Sequence, residues 1–167
     1  EVVAENQSPA LNPGKKGLRV DPNILDDALS LNIKHAGVDI PTQRFFGNGI
    51  NYTYESKTYK INKELIDQLD AEVKRLSDSG VAVTAILLNA WNQTVPELNP
   101  LGVTELPKEQ AVYYGFNVES EAGFRAVKAM ASFLAKRYNG KNGHGKITNW
   151  VVGNEINNQY WNYMGDL

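Results

Sequence analysis

The run "ITNWVVGNEINNQYW" (147–161) carries an apolar segment into Gly153-Asn154-Glu155 and then turns polar and aromatic. A carboxylate just past an apolar strand has two uses: it caps or solvates a strand end, or it is a catalytic acid held on a rigid post. General acid–base work by carboxyl groups takes a pair whose environments push their pKa values apart. One of the pair must hold a proton near neutral pH, and partial shielding from water raises a carboxyl pKa far enough to do so. Glu155 is the candidate acid/base, with an amide before it at Asn154 and Trp161 just beyond.

Asp39 closes a second apolar run, "KHAGVDI", where it can bind sugar hydroxyls or cap the next turn equally well. Trp91 and Trp161 offer flat apolar faces with a polar margin, suited to stacking on a pyranose ring and equally suited to packing. Asn89 precedes Trp91 by two residues, on the same face of a strand, and can line the same pocket. Tyr113 and Tyr114 are weaker candidates in a long loop. Two separated histidines and no cysteine argue against a His/Cys metal centre, so no metal and no cofactor is expected. An ion held by Asp39 and Glu155 alone stays open as an alternative. His35 stands at a strand entrance and reads as a core histidine, and His144 lies in the loop "NGKNGHGK" on the face away from the candidate site.

These residues need elements to position them. Residues 1–16 read as an irregular lead-in ending near Asn12-Pro13-Gly14. "GLRV" (17–20) is a short strand, and Asp21-Pro22 then supplies a cap and a first-turn proline for a short helix. A strand over 34–40 follows. Alternation of Ile50, Tyr52 and Tyr54, then Tyr59 and Ile61, around Glu55-Ser56-Lys57 predicts a β-hairpin over about 50–61. Asn62 caps an amphipathic helix with Leu65, Ile66, Leu69, Val73 and Leu76 on one face. "VAVTAILLNAW" (81–91) reads as a strand covered on both sides. After a long loop, about 92–119, Ser120 opens a helix with Phe124, Val127, Ala131, Leu134 and Tyr138 on its stripe. "ITNWVV" is the fourth strand, again expected to be buried.

Strands alternating with helices imply right-handed crossovers and a parallel sheet. The helix-to-strand connections are short and the strand-to-helix connections long, so the elaborated loops gather at the C-terminal edge, onto which Glu155 emerges. No glycine-rich phosphate loop follows the first strand, which argues against a nucleotide fold. The expected fold is therefore a (β/α)8 barrel of which residues 17–167 supply the N-terminal half, about four strands and three helices. Upstream sequence is expected because Glu1, not Met, stands first, and the remaining half of the same barrel is expected as a partner. The 167 residues are 42% hydrophobic and 22% charged, with a net charge of -2 and no basic stripe, so nucleic acid is not an expected partner. No apolar run reaches the length of a membrane span.

At "WVVGNE" the chain resembles the retaining (β/α)8 glycosidases, clan A of the glycoside hydrolases, whose mark is an Asn-Glu pair at the tip of the fourth strand. The progression from "KHAGVDIP" to "NWVVGNEINN" is also similar to an uncharacterised bacterial group related to them. The resemblance implies that Glu155 is the general acid/base and that Asn154 bonds the hydroxyl beside the anomeric carbon. It implies a carbohydrate substrate and an extracellular, cell-surface or periplasmic location. The family's nucleophile, a second Glu on the seventh strand, has no counterpart up to Leu167, so the segment alone is expected to be inactive. The alternative is a barrel that binds carbohydrate without cleaving it.

Overall fold

A computed structural model describes residues 14–100 and 113–158, and the backbone of 162–163. Trp161 and residues 101–112 of the long loop lie outside the described residues. Four parallel strands form the main sheet: β1 (Gly17–Arg19), β2 (His35–Pro41), β5 (Ala82–Leu88) and β7 (Asn149–Val152). Between β2 and β5 stands a hairpin of β3 (Gly49–Tyr54) and β4 (Lys57–Asn62). The helices are α1 (Leu25–Ser30), α2 (Lys63–Asp78) and α3 (Glu121–Arg137). Two short strands, β6 (Tyr113–Tyr114) and β8 (Asn162–Tyr163), pair in parallel.

Strand order in the sheet is β1-β2-β5-β7, each crossover stepping one place in the same direction. A doubly wound fold reverses that direction and places helices on both faces. Here the order does not reverse, and the helices share one face. Arg75 of α2 pairs with Asp26 of α1, and Arg137 of α3 with Asp70 of α2, so the three helices lie side by side. Beneath them Ala36, Val38 and Ile40 of β2 and Val83, Ala85 and Leu87 of β5 are buried in one core with Leu65, Leu69, Val73 and Leu134. Each valine, leucine or isoleucine among them contributes about 1.5 to 3 kcal/mol by leaving water. The opposite face carries Arg19, Gly37, Asp39, Thr84, Ile86, Asn149 and Val151, aligned across the strands by register.

Local chemistry explains the element boundaries. Asn62 and Ser120 each accept a backbone N–H three residues on, from Leu65 at 3.2 Å and Gly123 at 3.1 Å. Those caps satisfy amide groups that the first helical turn leaves without partners. The hairpin turns on Glu55 and Ser56 alone, both at positive φ (45° and 67°), the geometry of a two-residue turn whose twist matches its strands. Tyr52 then docks the hairpin on α3, its ring 5.3 Å from Phe133 and its hydroxyl 2.8 Å from Ser132.

Two expectations are corrected. The buried stripe of α3 is Gly123, Ala126, Ala129, Met130, Phe133 and Leu134, whereas Phe124 is exposed. Small residues set that face: a Cβ at Gly123 would lie 2.5 Å from the Asn117 carbonyl and 2.6 Å from that of Glu97. A reading weighted by large side chains rotates the helix toward Phe124. The fourth strand is likewise not covered on both sides. Trp150, Val151 and Val152 are exposed on β7, which among the described residues is the last strand of the sheet and pairs with β5 alone.

Candidate functional site

The C-terminal edge of the sheet gathers the polar side chains. At the tip of β7, Gly153 takes φ 81° and Glu155 φ 49°, so the strand is thrown into a sharp bend. A Cβ at Gly153 would meet the Ile156 side chain at 2.7 Å, which, with the positive φ, is why glycine stands there. The Gly153 N–H donates to the Leu87 carbonyl at 3.0 Å, tying the bend to β5. A turn follows, with the Asn158 N–H donating to the Glu155 carbonyl at 2.8 Å. Asn154 and Glu155 are both exposed. A non-glycine residue at positive φ is uncommon and costs about 1 to 2 kcal/mol, so the bend holds Glu155 in a backbone state it would not adopt unaided.

Asn89 follows β5 directly and is buried. Its amide oxygen accepts from Thr42 Oγ1 at 2.8 Å, and its Nδ2 donates to the carbonyls of Leu98 and Gly115. Its own carbonyl accepts from Tyr114 N at 2.7 Å. Every strong valence of the amide is used inside the protein, so the expected sugar-binding role is withdrawn: Asn89 anchors the long loop. Asn99 extends the same scaffold: its side-chain oxygen accepts from the Asn92 backbone N–H, and its Nδ2 donates to the Asn92 carbonyl. Trp91 is half-buried and stands edge-on to Tyr114 at 5.8 Å. Part of its ring remains open at the strand-tip edge, compatible with stacking.

Asp39 lies on the face away from the helices and pairs with Arg19 of the neighbouring strand. Its register partners are Ile86 and, one strand further, Val151. Two strand spacings, about 10 Å, and four further residues of chain separate it from Glu155. The pair cannot converge on one ion in this sheet. Among the described residues no group of three carboxylates, histidines or cysteines could hold a metal.

A residue the sequence reading passed over lines a cleft together with Asp39. Glu72 falls within the apolar stripe of α2, three residues after Leu69, and is only 7% exposed. It makes no hydrogen bond or ion pair within the described residues. Burial, helped by the negative charge of Asp21, pushes its pKa up to about 7. Glu72 floors a cleft of about 450 Å³ walled by Arg19, Val20, Asp21, Pro22 and Asp39. An adjoining cleft of about 310 Å³ continues past Pro41 and Leu88 to Tyr113. The signal was legible: an acid at the i+3 and i+7 positions of a leucine stripe must be buried with it.

The histidines are structural. His35 Nε2 lies 2.8 Å from the Gly14 carbonyl, at the entrance of β2. His144 Nδ1 lies 2.9 Å from Asp70, which also receives Arg137 at 2.7 and 2.5 Å and the Tyr138 hydroxyl at 3.0 Å. Burial pushes the Asp70 pKa up, but these donors outweigh it and hold it below the usual range. The loop bearing His144 is thus tied to α2.

The chain is an α/β protein with a sequentially ordered parallel sheet, helices on one face and polar side chains collected at its C-terminal edge. It belongs to DUF5722, a family of unknown function, whose pattern matches residues 8–167. No curated protein and no solved structure matches the chain.

Proposed function

We propose that this chain is part of a retaining glycoside hydrolase in which Glu155 is the general acid/base. The carrying observation is the placement of Glu155: a strained, positive-φ carboxylate just beyond the fourth strand of a sheet whose strands follow chain order. Unusual backbone held at a strand tip is where functional side chains collect. On this reading the sheet is the first half of a (β/α)8 barrel, and further strands pair with β7 and cover Trp150, Val151 and Val152. Glu155 protonates the departing glycosidic oxygen, and a second carboxylate from a later strand forms the glycosyl-enzyme. Glu155 then takes a proton from the attacking water. Asn154, Asp39, Trp91 and Trp161 are assigned to sugar contacts, and the substrate is a poly- or oligosaccharide met outside the cytoplasm.

Solvent exposure of Glu155 favours a second reading, a barrel that binds carbohydrate without cleaving it, because nothing among the described residues shields the side chain from water. Reducing-sugar release from a polysaccharide panel by the full-length gene product, wild type beside Glu155→Gln, separates the two. Loss of turnover with retained sugar binding is the expected result. Unchanged activity in the variant ends the acid/base assignment, and binding without any release by the wild type selects the second reading.

A further inference from the structure

We propose that the cleft between β1 and β2 binds a small organic cation bearing a primary ammonium group, received by Glu72 with Asp21 and Asp39 at the rim. The site goes beyond the glycosidase reading and does not involve Glu155. A glutamate only 7% exposed as a residue, whose carboxyl has no partner among the described residues, is costly to keep. Any leucine-sized residue at position 72 would fill the helix stripe without that cost. Glu72 lines both adjoining clefts at the open edge of β2, where β1 ends at Arg19 and the chain turns off through Asp21-Pro22.

Charge decides what fits. Three carboxylates and one cation, Arg19, surround the first cleft, and Arg19 is already paired with Asp39. Asp21 accepts the Asn23 backbone and side-chain N–H groups on one oxygen, both at 2.9 Å, and no bond to its other oxygen is present among the described residues. Arg44 lines only the adjoining cleft. An anion is therefore repelled, and a neutral ligand leaves the ionised Glu72 uncompensated. The carboxylates are not grouped tightly enough for a metal ion. An ammonium group presents three donors on a compact charge, can bridge Glu72 and Asp21, and its aliphatic stem suits Val20 and Pro22.

The test uses the full chain, with n-butylammonium as probe and n-butanol as its neutral isostere, read by carbon NMR of the glutamate side-chain carboxyls. Butylammonium is expected to saturate the Glu72 signal and to lower its titration midpoint by about one unit, since binding favours the ionised form. Butanol should leave it unmoved. Glu72→Gln should weaken the amine at pH 8 by about tenfold or more, and Asp21→Asn by about threefold, consistent with loss of one charge-assisted contact each. An unmoved midpoint under saturating amine, equal response to butanol, or displacement of the amine by calcium overturns the proposal. The wild-type arms decide it even if a variant fails to fold.

Discussion

Glu155 and Glu72 carry the same side chain into opposite surroundings. Glu155 is announced by its neighbours, an apolar strand, Gly153 and Asn154, yet it stands in water at the tip of β7. Glu72 is marked only by its place in the leucine stripe of α2, and burial pushes its pKa up to about 7. What makes a carboxyl an acid at neutral pH is enclosure, and enclosure is a property of tertiary packing. On the proposed reading further chain roofs Glu155, whereas Glu72 is already enclosed and lacks only a partner among the described residues.

The largest effect belongs to the strand tip. If Glu155 is the acid/base, Glu155→Gln lowers turnover of unactivated glycosides by about 10² to 10⁴. Because the side chain is exposed, thermal unfolding should move by no more than about 0.5 kcal/mol. A variant that loses stability while keeping wild-type turnover would make Glu155 a structural residue rather than the acid/base.

Glu72 should show itself in stability instead. Its folded pKa of about 7 exceeds the usual 4.5, so the folded state holds the proton more tightly than the unfolded state between those values. Stability then falls as pH rises from 4.5, and the loss is complete above 7, at about 3 kcal/mol. In Glu72→Gln that slope vanishes, making the variant more stable than wild type at pH 8. Urea denaturation at pH 5 and pH 8 measures both; a wild type as stable at pH 8 as at pH 5 discards the buried, unpartnered carboxyl.

Two residues earlier on the same helix the sign inverts. Asp70 is partnered by Arg137, Tyr138 and His144, so its contribution is present above the usual carboxylate pKa and lost only as pH falls through its lower folded value. Asp70→Asn should destabilise the fold at pH 7 by about 2 kcal/mol, because the half-buried Arg137 is left short of its counter-charge. Denaturation midpoints of Asp70→Asn and Glu72→Gln at pH 8 are expected to move in opposite directions. Movement in the same direction would mean that position on α2, rather than pairing, decides the cost.

How much of this could be read beforehand follows from which forces are local. The N-caps at Asn62 and Ser120, the tyrosine alternation of the hairpin and the leucine stripe of α2 are written in residues a few positions apart, and each element forms where its signals stand. The strand before Glu155 is legible, but its exposure is not, because burial of Trp150 depends on what packs against β7. The face of α3 is misread for a related reason. Gly123 and Ala126 bury little area themselves, and only the nearness of the Asn117 and Glu97 carbonyls shows that small size is the requirement. Asn89 is misplaced because its three amide partners, Thr42, Leu98 and Gly115, come from separated segments. The pairing of Asp39 with Arg19 depends on the β1–β2 register, which no local signal gives.

The smallest expected effect sharpens the comparison most. Glu155 sits at φ 49°, where an L-residue is strained by about 1 to 2 kcal/mol and glycine is not. Glycine returns part of that as extra freedom in the unfolded chain, about 0.5 to 1 kcal/mol. Glu155→Gly should therefore stabilise the fold by roughly 0.5 to 1 kcal/mol, while removing the carboxylate on which the proposed chemistry rests. A more stable but inactive variant is the pattern expected where strain is kept for function. A destabilised Glu155→Gly would mean that the side chain contributes contacts of its own at the tip of β7. Glu155 would then be a structural residue at a strand end.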